Sequence, residues 1–209
     1  MRKLLVILTL MLMALTVNAQ SCPDDNHPHM IDLGLPSGTK WACCNVDASK
    51  PEEDGGYYAW GETEEKNEYY LENYKHCDGT WDSFHDLGKS ISSTQYDVAY
   101  VKWGGVWVMP SLEQIEELCN ECKSEWITVN GVKGRRFIGP NGGNIFLPAA
   151  GTHLGDEFCL DGFSGYYWSS SQHPSDSYCA YGLNFNPGSV GWNEGGYHIS
   201  GHNVRPVAK

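Results

Sequence analysis

Between residues 110 and 122 the apolar positions recur at three- and four-residue spacing. Leu112, Ile115, Leu118, Cys119 and Cys122 make one face of a helix. Pro110-Ser111 opens the run, with Ser111 placed to cap it and Glu113 and Gln114 in the first turn. That face is expected to bury against a sheet. Elsewhere the period shortens to two. Cys179, Tyr181, Leu183 and Phe185 alternate with Ala180, Gly182 and Asn184, which predicts a half-buried strand. Tyr181, Leu183 and Phe185 would point inward, leaving Asn184 and Asn186 outward. Shorter strand candidates are 126–129, 135–138, 145–151 (halted by Pro148), 166–171, 190–193 and 203–207. Turns fall at Asn130-Gly131 and Asn141-Gly142-Gly143. Near the start, Leu33, Leu35 and Trp41 predict a hairpin turning at Pro36-Ser37-Gly38. Tyr57 to Glu62 reads as a short buried strand or edge, and Asp97 to Lys102 as one helical turn. Residues 63–95 have no clear period and read as long loop. The chain has no 20–50-residue repeat, which argues against a propeller or solenoid. The sum is an α+β fold: short, mostly antiparallel strands, one firm helix and long loops.

The first nineteen residues follow another pattern. Met1-Arg2-Lys3, an apolar run from Leu4 to Val17 and then Val17-Asn18-Ala19 describe a signal peptide cleaved after Ala19. The run is short of the roughly 20 residues of a membrane span. A rival reading places a lipid on Cys22, which precedes Pro23-Asp24-Asp25, as in surface lipoproteins of the Bacteroidetes type. The domain layout is then 1–19 signal peptide, 20–30 flexible arm and 31–209 a single domain. The location is secreted or outer surface.

Charge narrows the partners. Of 14 basic residues, Arg2 and Lys3 leave with the signal, so 12 face 26 acidic residues, a mature charge of −14. Such a surface repels nucleic acid and anionic lipid. Eight cysteines in an exported chain predict disulfides. Cys159 and Cys179 flank the Trp168 strand and are one candidate pair. Cys119-Asn120-Glu121-Cys122 has the spacing of zinc and redox sites, but no second such motif or His pair accompanies it.

The stretch from Tyr166 to Val207 is dominated by Gly, Asn, Ser, His, Tyr and Trp. Aromatic, amide and hydroxyl groups on loops suit recognition, and acid–base catalysis poorly. The ligand surface is expected at Trp192, Asn193, Tyr197 and His198, with Asn184, Asn186 and Glu194 beside them. Competing readings were weighed by their chemistry. Glu194, His198 and His202 stand four residues apart and would share a helix face for a metal, but Gly195, Gly196 and Gly201 oppose a helix. His27 and His29 fall in the arm and read as chance polar residues. Asp156-Glu157 and Asp161 would need a fixed separation across a sugar for glycoside hydrolysis, and read as a solvated loop. Ser169-Ser170-Ser171 lacks a nucleophile-elbow context, and the neighbouring Tyr167 and Trp168 read as core.

Seven strings carry a family likeness: Asp32-Leu33-Gly34-Leu35-Pro36-Ser37-Gly38, Tyr58-Ala59-Trp60-Gly61-Glu62, Trp103-Gly104-Gly105, Met109-Pro110-Ser111, Phe146-Leu147-Pro148-Ala149-Ala150-Gly151, Tyr167-Trp168-Ser169-Ser170-Ser171 and Val204-Arg205-Pro206-Val207. In this order the chain, over about residues 31–207, resembles the Fibrobacter succinogenes major paralogous domain of gut Bacteroidetes. The resemblance implies a C-type-lectin-like fold of the formylglycine-generating-enzyme group. It also implies paired N- and C-terminal strands, variable residues displayed near the C-terminal strands and a Cys44–Cys122 disulfide. Val108 departs from the family's frequent Trp-Arg-Met-Pro string. The calcium strings of sugar-binding relatives are missing, and Trp192-Asn193-Glu194 is only close to one of them. The reading is a non-enzymatic recognition domain, without cofactor or metal, for a cell-surface glycan or protein. Alternatives are a self-associating structural adhesin and a formylglycine-generating copper–cysteine oxidase, for which Cys159 and Cys179 were considered and no matching local motif was found.

Overall fold

In the computed structural model, which describes residues 30–192 and 195–208, the N-terminal hairpin forms as its turn predicts. Strand β1 (Met30–Asp32) pairs antiparallel with β2 (Lys40–Ala42). In the turn the Gly38 amide donates to the Leu35 carbonyl at 2.9 Å. The other side of β2 takes the last strand, β13 (Val207–Ala208), with Val207 opposite Trp41. The two ends of the chain are thus paired. Strand β3 (Trp107–Val108) completes a four-stranded sheet in the order β1-β2-β13-β3. Arg205, two residues before β13 and almost fully buried, bolts this sheet to the rest. Its guanidinium donates to Asn45 Oδ1 at 2.8 Å, the Cys43 carbonyl at 2.9 Å and the Phe146 carbonyl at 2.9 Å.

The two helices are α1 (Val98–Trp103) and α2 (Leu112–Glu121). Ser111 caps α2 with a reciprocal box: its Oγ accepts from the Gln114 amide, and Gln114 Oε1 accepts from the Ser111 amide. Ile115, Leu118 and Cys122 sink into an aliphatic core with Leu33, Phe137, Leu147, Leu183 and Phe185. After α2 comes a meander of β4 (Lys123–Val129), β5 (Val132–Ile138) and β6 (Asn144–Pro148). Asn130 and Gly131 both hold positive φ, at 49° and 90°, which is why the Asn-Gly pair marks that turn.

The third sheet is built from β7 (Ala150–Leu154), β8 (Glu157–Asp161), β9 (Gly165–Gln172), β10 (Cys179–Phe185), β11 (Val190–Gly191) and β12 (Gly195–Tyr197). Its order is β11-β10-β9-β7-β8, with β12 also on β10. Strands β11 and β12 ride on the same edge of β10, at residues 184–185 and 179–181. The architecture is mostly sheet with two helices, an α+β arrangement.

Three local expectations need correction. The acidic stretch read as a solvated loop is strand β8, since its alternation is masked by exposure on both faces at a sheet edge. Tyr181 is half-buried and not inward, because a bulge between Ala180 and Gly182 shifts the register of β10 on β9. Tyr57 to Glu62 is buried but forms no strand; Tyr58 makes a single bridge to His202. The signal peptide, residues 20–29 of the arm, Cys22, His27 and His29 lie outside the described residues, and Met30, the arm's last residue, belongs to β1. Among the described residues no helix is long and apolar enough to cross a membrane.

Candidate functional site

Strand alternation sets the site. Tyr166 on β9 and Asn184 on β10 are direct partners in the ladder, and their neighbours Tyr167 and Leu183 point to the aliphatic core. Tyr166 and Asn184 therefore face the other side. Trp168, two residues on, shares that side and carries His202 stacked on its ring at 4.1 Å between centroids. Tyr166 lies 5.4 Å from the same histidine. Strand β12 closes over this stack only because residue 196 is glycine: a Cβ there would sit 2.7 Å from His202 Cε1.

A cavity of about 280 Å³ opens beside the stack, walled by Leu154, Leu160, Tyr166, Asn184, Tyr197 and His202, among others. Leu154, Leu160 and Tyr197, at 48%, 46% and 52% exposure, form its apolar rim. A second cavity of about 380 Å³ continues from it. Tyr166 and Asn184 are common walls, and Ser164, Asn186, Ser189 and Gly191 line the far end. The second cavity is polar where the first is apolar. Gly191 leaves room for the Asn184 amide, since a Cβ there would stand 2.8 Å from Asn184 Oδ1 and turn that side chain aside. Among the described residues, neither lining contains an Asp, Glu, Lys or Arg.

The electrostatics follow from burial. Desolvation holds the His202 pKa down to about 3, so the ring is neutral at physiological pH. Among the described residues, His202 is the titratable imidazole of these linings, and no carboxylate, Lys or Arg accompanies it. Asn184 amide, Tyr166 hydroxyl, Ser164 hydroxyl and Ser189 hydroxyl spend no hydrogen bond on another described residue. Asn186 spends its Oδ1 on the Gly188 and Ser189 amides and keeps its Nδ2. The arrangement can bind a neutral molecule.

The predicted residues divide. Asn184 and Asn186 lie half-buried in the polar cavity, and Tyr197 sits on the rim of the apolar one. Trp192 lines neither cavity; its ring packs partly on the aliphatic core. Asn193 and Glu194 lie outside the described residues. His198 is corrected: it is 1% exposed, one residue past Tyr197 and turned inward. It lies flat on Trp60 at 4.4 Å. Burial, with nearby His76, holds its pKa down to about 3. His198 and His202 thus stack on different tryptophans, which removes the basis for their sharing one metal. Among the described residues no cluster of three or more His, Cys, Asp or Glu could hold a metal.

The cysteine pairings are also corrected. Among the described residues no disulfide forms. Cys159 is on β8 and Cys179 on β10, with β7 and β9 between them. Three strand spacings of about 4.8 Å put them roughly 14 Å apart, too far for a disulfide or a shared copper. Cys44 packs with Cys43, Trp103 and Trp107, whereas Cys122 belongs to the aliphatic core. Burial pushes the Cys119 and Cys122 thiols up to about 12 and about 11, the reverse of a reactive thiolate. Ser169 and Ser170 are buried in β9, and Ser169 Oγ donates to the Tyr181 carbonyl at 2.8 Å.

Sequence reading missed Tyr166, Leu154, Leu160, Ser164 and Ser189. For Tyr166 a signal existed: in a strand, two adjacent tyrosines must face opposite sides. For Leu160 there was none, because β8 itself was not seen. Searches of family models, curated proteins and solved structures found no match to this chain.

Proposed function

We propose that the protein is an exported, non-enzymatic recognition domain whose ligand seats in the groove across β9 and β10. The observation that carries this is a pair of adjoining cavities with aromatic walls, unspent amide and hydroxyl groups and, among the described residues, no charged side chain. Apolar concavity with a few convergent polar groups is the usual make-up of a ligand site. The likeness to the Fibrobacter succinogenes major paralogous domain and the C-type-lectin-like fold agrees with this reading, and rests on the seven sequence strings. Export, soluble or through a lipid on Cys22, rests on the N-terminal pattern.

A test is a binding screen on arrays of glycans and surface proteins, run in parallel with Tyr197→Ala. Partners retained by the protein and lost by the variant are expected. Partners retained equally by both would move the site away from this groove. A second reading, self-association, is favoured by the β8 edge, where Phe158 and Leu160 are about half exposed. Sedimentation that shifts with concentration would favour it.

A further inference from the structure

The two cavities share walls, and their difference in polarity points to the shape and class of what fills them. We infer that the groove takes a neutral oligosaccharide of at least two sugar units, one face-on in the apolar cavity and the next hydrogen-bonded in the polar one. This rests on the recognition reading above.

Three observations carry it. The first is charge. The protein has a formal charge of −12, yet among the described residues no Asp, Glu, Lys or Arg lines either cavity, and His202 is held neutral by burial. A charged ligand entering such a site would lose hydration without a counter-charge to replace it. An uncharged polymer loses none of that kind. The second is the division of polarity. A pyranose ring presents apolar C–H faces and a belt of hydroxyls. The faces of Tyr166 and Tyr197 carry the negative side of the aromatic quadrupole, which attracts those polarised C–H bonds. The hydroxyl belt needs donors and acceptors in the plane of the ring. The polar cavity supplies them as the Asn184 amide, Ser164 and Ser189 hydroxyls and Asn186 Nδ2, none engaged by another described residue. The third is size. Each cavity, at about 280 and about 380 Å³, is at the small end of the roughly 300–1,000 Å³ of ligand pockets. They share Tyr166 and Asn184 as walls, so they adjoin and one ligand of two units can contact both.

An uncharged apolar peptide would suit the first cavity but would leave the polar groups of the second unpaired on binding, at a cost. An acidic or basic sugar would bring an uncompensated charge to the same walls.

The experiment is calorimetric titration of the full-chain protein with neutral gluco-, xylo- and manno-oligosaccharides of one to six units. For at least one series, affinity is expected to rise tenfold or more between one and three units and then level off. Ser189→Ala, at an exposed position of the polar end, should reduce that gain several-fold. Asn184→Ala, on the shared wall, should weaken both; melting curves of each variant check that the fold is kept. Affinity independent of chain length would overturn the two-unit inference while leaving recognition at the apolar cavity intact. Failure of every neutral sugar, together with capture of a protein ligand that Tyr197→Ala loses, would overturn the sugar class and keep the recognition reading. Failure of every sugar and every array partner would overturn both.

Discussion

The aliphatic half of the molecule and its aromatic half are held by different means. Around α2 and the β4-β5-β6 meander, branched apolar side chains pack together and the backbone satisfies itself in ladders. Between residues 55 and 97 there is almost no ladder. There the backbone is pinned by side chains: Tyr57 Oη to the Ala150 carbonyl at 2.6 Å, Tyr69 Oη to the Tyr57 carbonyl at 2.6 Å, and Tyr74 Oη to the Trp60 carbonyl at 2.7 Å. Trp60 Nε1 reaches the Ser169 carbonyl at 2.9 Å, and Trp168 Nε1 the Tyr58 carbonyl at 2.7 Å. Glu62 is buried, accepts from the Lys75 amide at 2.8 Å and lies 3.1 Å from Lys66 Nζ. A long segment without secondary structure can thus stay ordered if phenols, indoles and a buried ion pair pair its carbonyls and amides. The groove borders this second half, whose His202 and Trp168 form its floor.

The largest effect is expected in the aliphatic half. Leu118 is fully buried on α2, and Leu118→Asp places an unpaired carboxylate among Leu33, Ile115 and Phe137. A loss of about 4 kcal/mol or more is expected, enough to unfold most domains of this size. Urea denaturation measures it; a loss under about 1 kcal/mol would mean that this core is not what holds the fold.

The next effect separates the halves by pH. His198 and His202 sit at about 3 when folded and return to about 6.5 when unfolded. Between those values the unfolded chain takes up protons that the native state refuses. Stability is therefore intact above about pH 6.5 and falls as pH drops through that window, by up to about 1.4 kcal/mol per pH unit for each histidine. His202→Phe keeps an aromatic ring on Trp168 and should remove one histidine's share of the slope. Melting temperatures from pH 7 to pH 4 test this, and parallel curves for protein and variant would refute it.

A smaller and local effect sharpens the contrast. Tyr74→Phe leaves the buried Trp60 carbonyl without its donor, at a cost of about 1–3 kcal/mol. Hydrogen exchange should quicken in the segment around residues 60–85 and stay unchanged in β4, β5 and β6. Uniform acceleration would mean that the halves unfold as one unit.

How much of this could be read from the chain follows the same division. The helix at 112–121, the Asn130-Gly131 turn and the outward Asn184 rest on local periods and turn chemistry, so they were visible. The pinning of residues 55–97 joins groups about a hundred positions apart, such as Trp60 to Ser169, and no local pattern encodes it. The site was legible in part for that reason. Asn184 and Asn186 follow from the alternation that β10 carries, and Tyr197 from its aromatic character in a segment read as loop, whereas Leu160 enters through the edge strand β8, which has no core face, and Leu154 at the exposed end of β7. His198 was misplaced because Gly195-Gly196 suggested an open loop, and the glycines instead let β12 press against Trp168 and His202.

The smallest effect on stability is expected at the rim. Tyr197→Ala removes a half-exposed ring and should change stability by no more than about 0.5 kcal/mol. Affinity for a retained ligand should fall by roughly tenfold or more, as at an interface hot spot. The central claim, that the groove on β9 and β10 is the ligand seat, is tested most directly by amide chemical-shift mapping while the array-selected ligand is titrated in. The account predicts that shifts concentrate at Tyr166, Gly182 to Asn184, Gly191 and Gly195 to Tyr197. Shifts confined to β4, β5 and β6, with the groove silent, would contradict it.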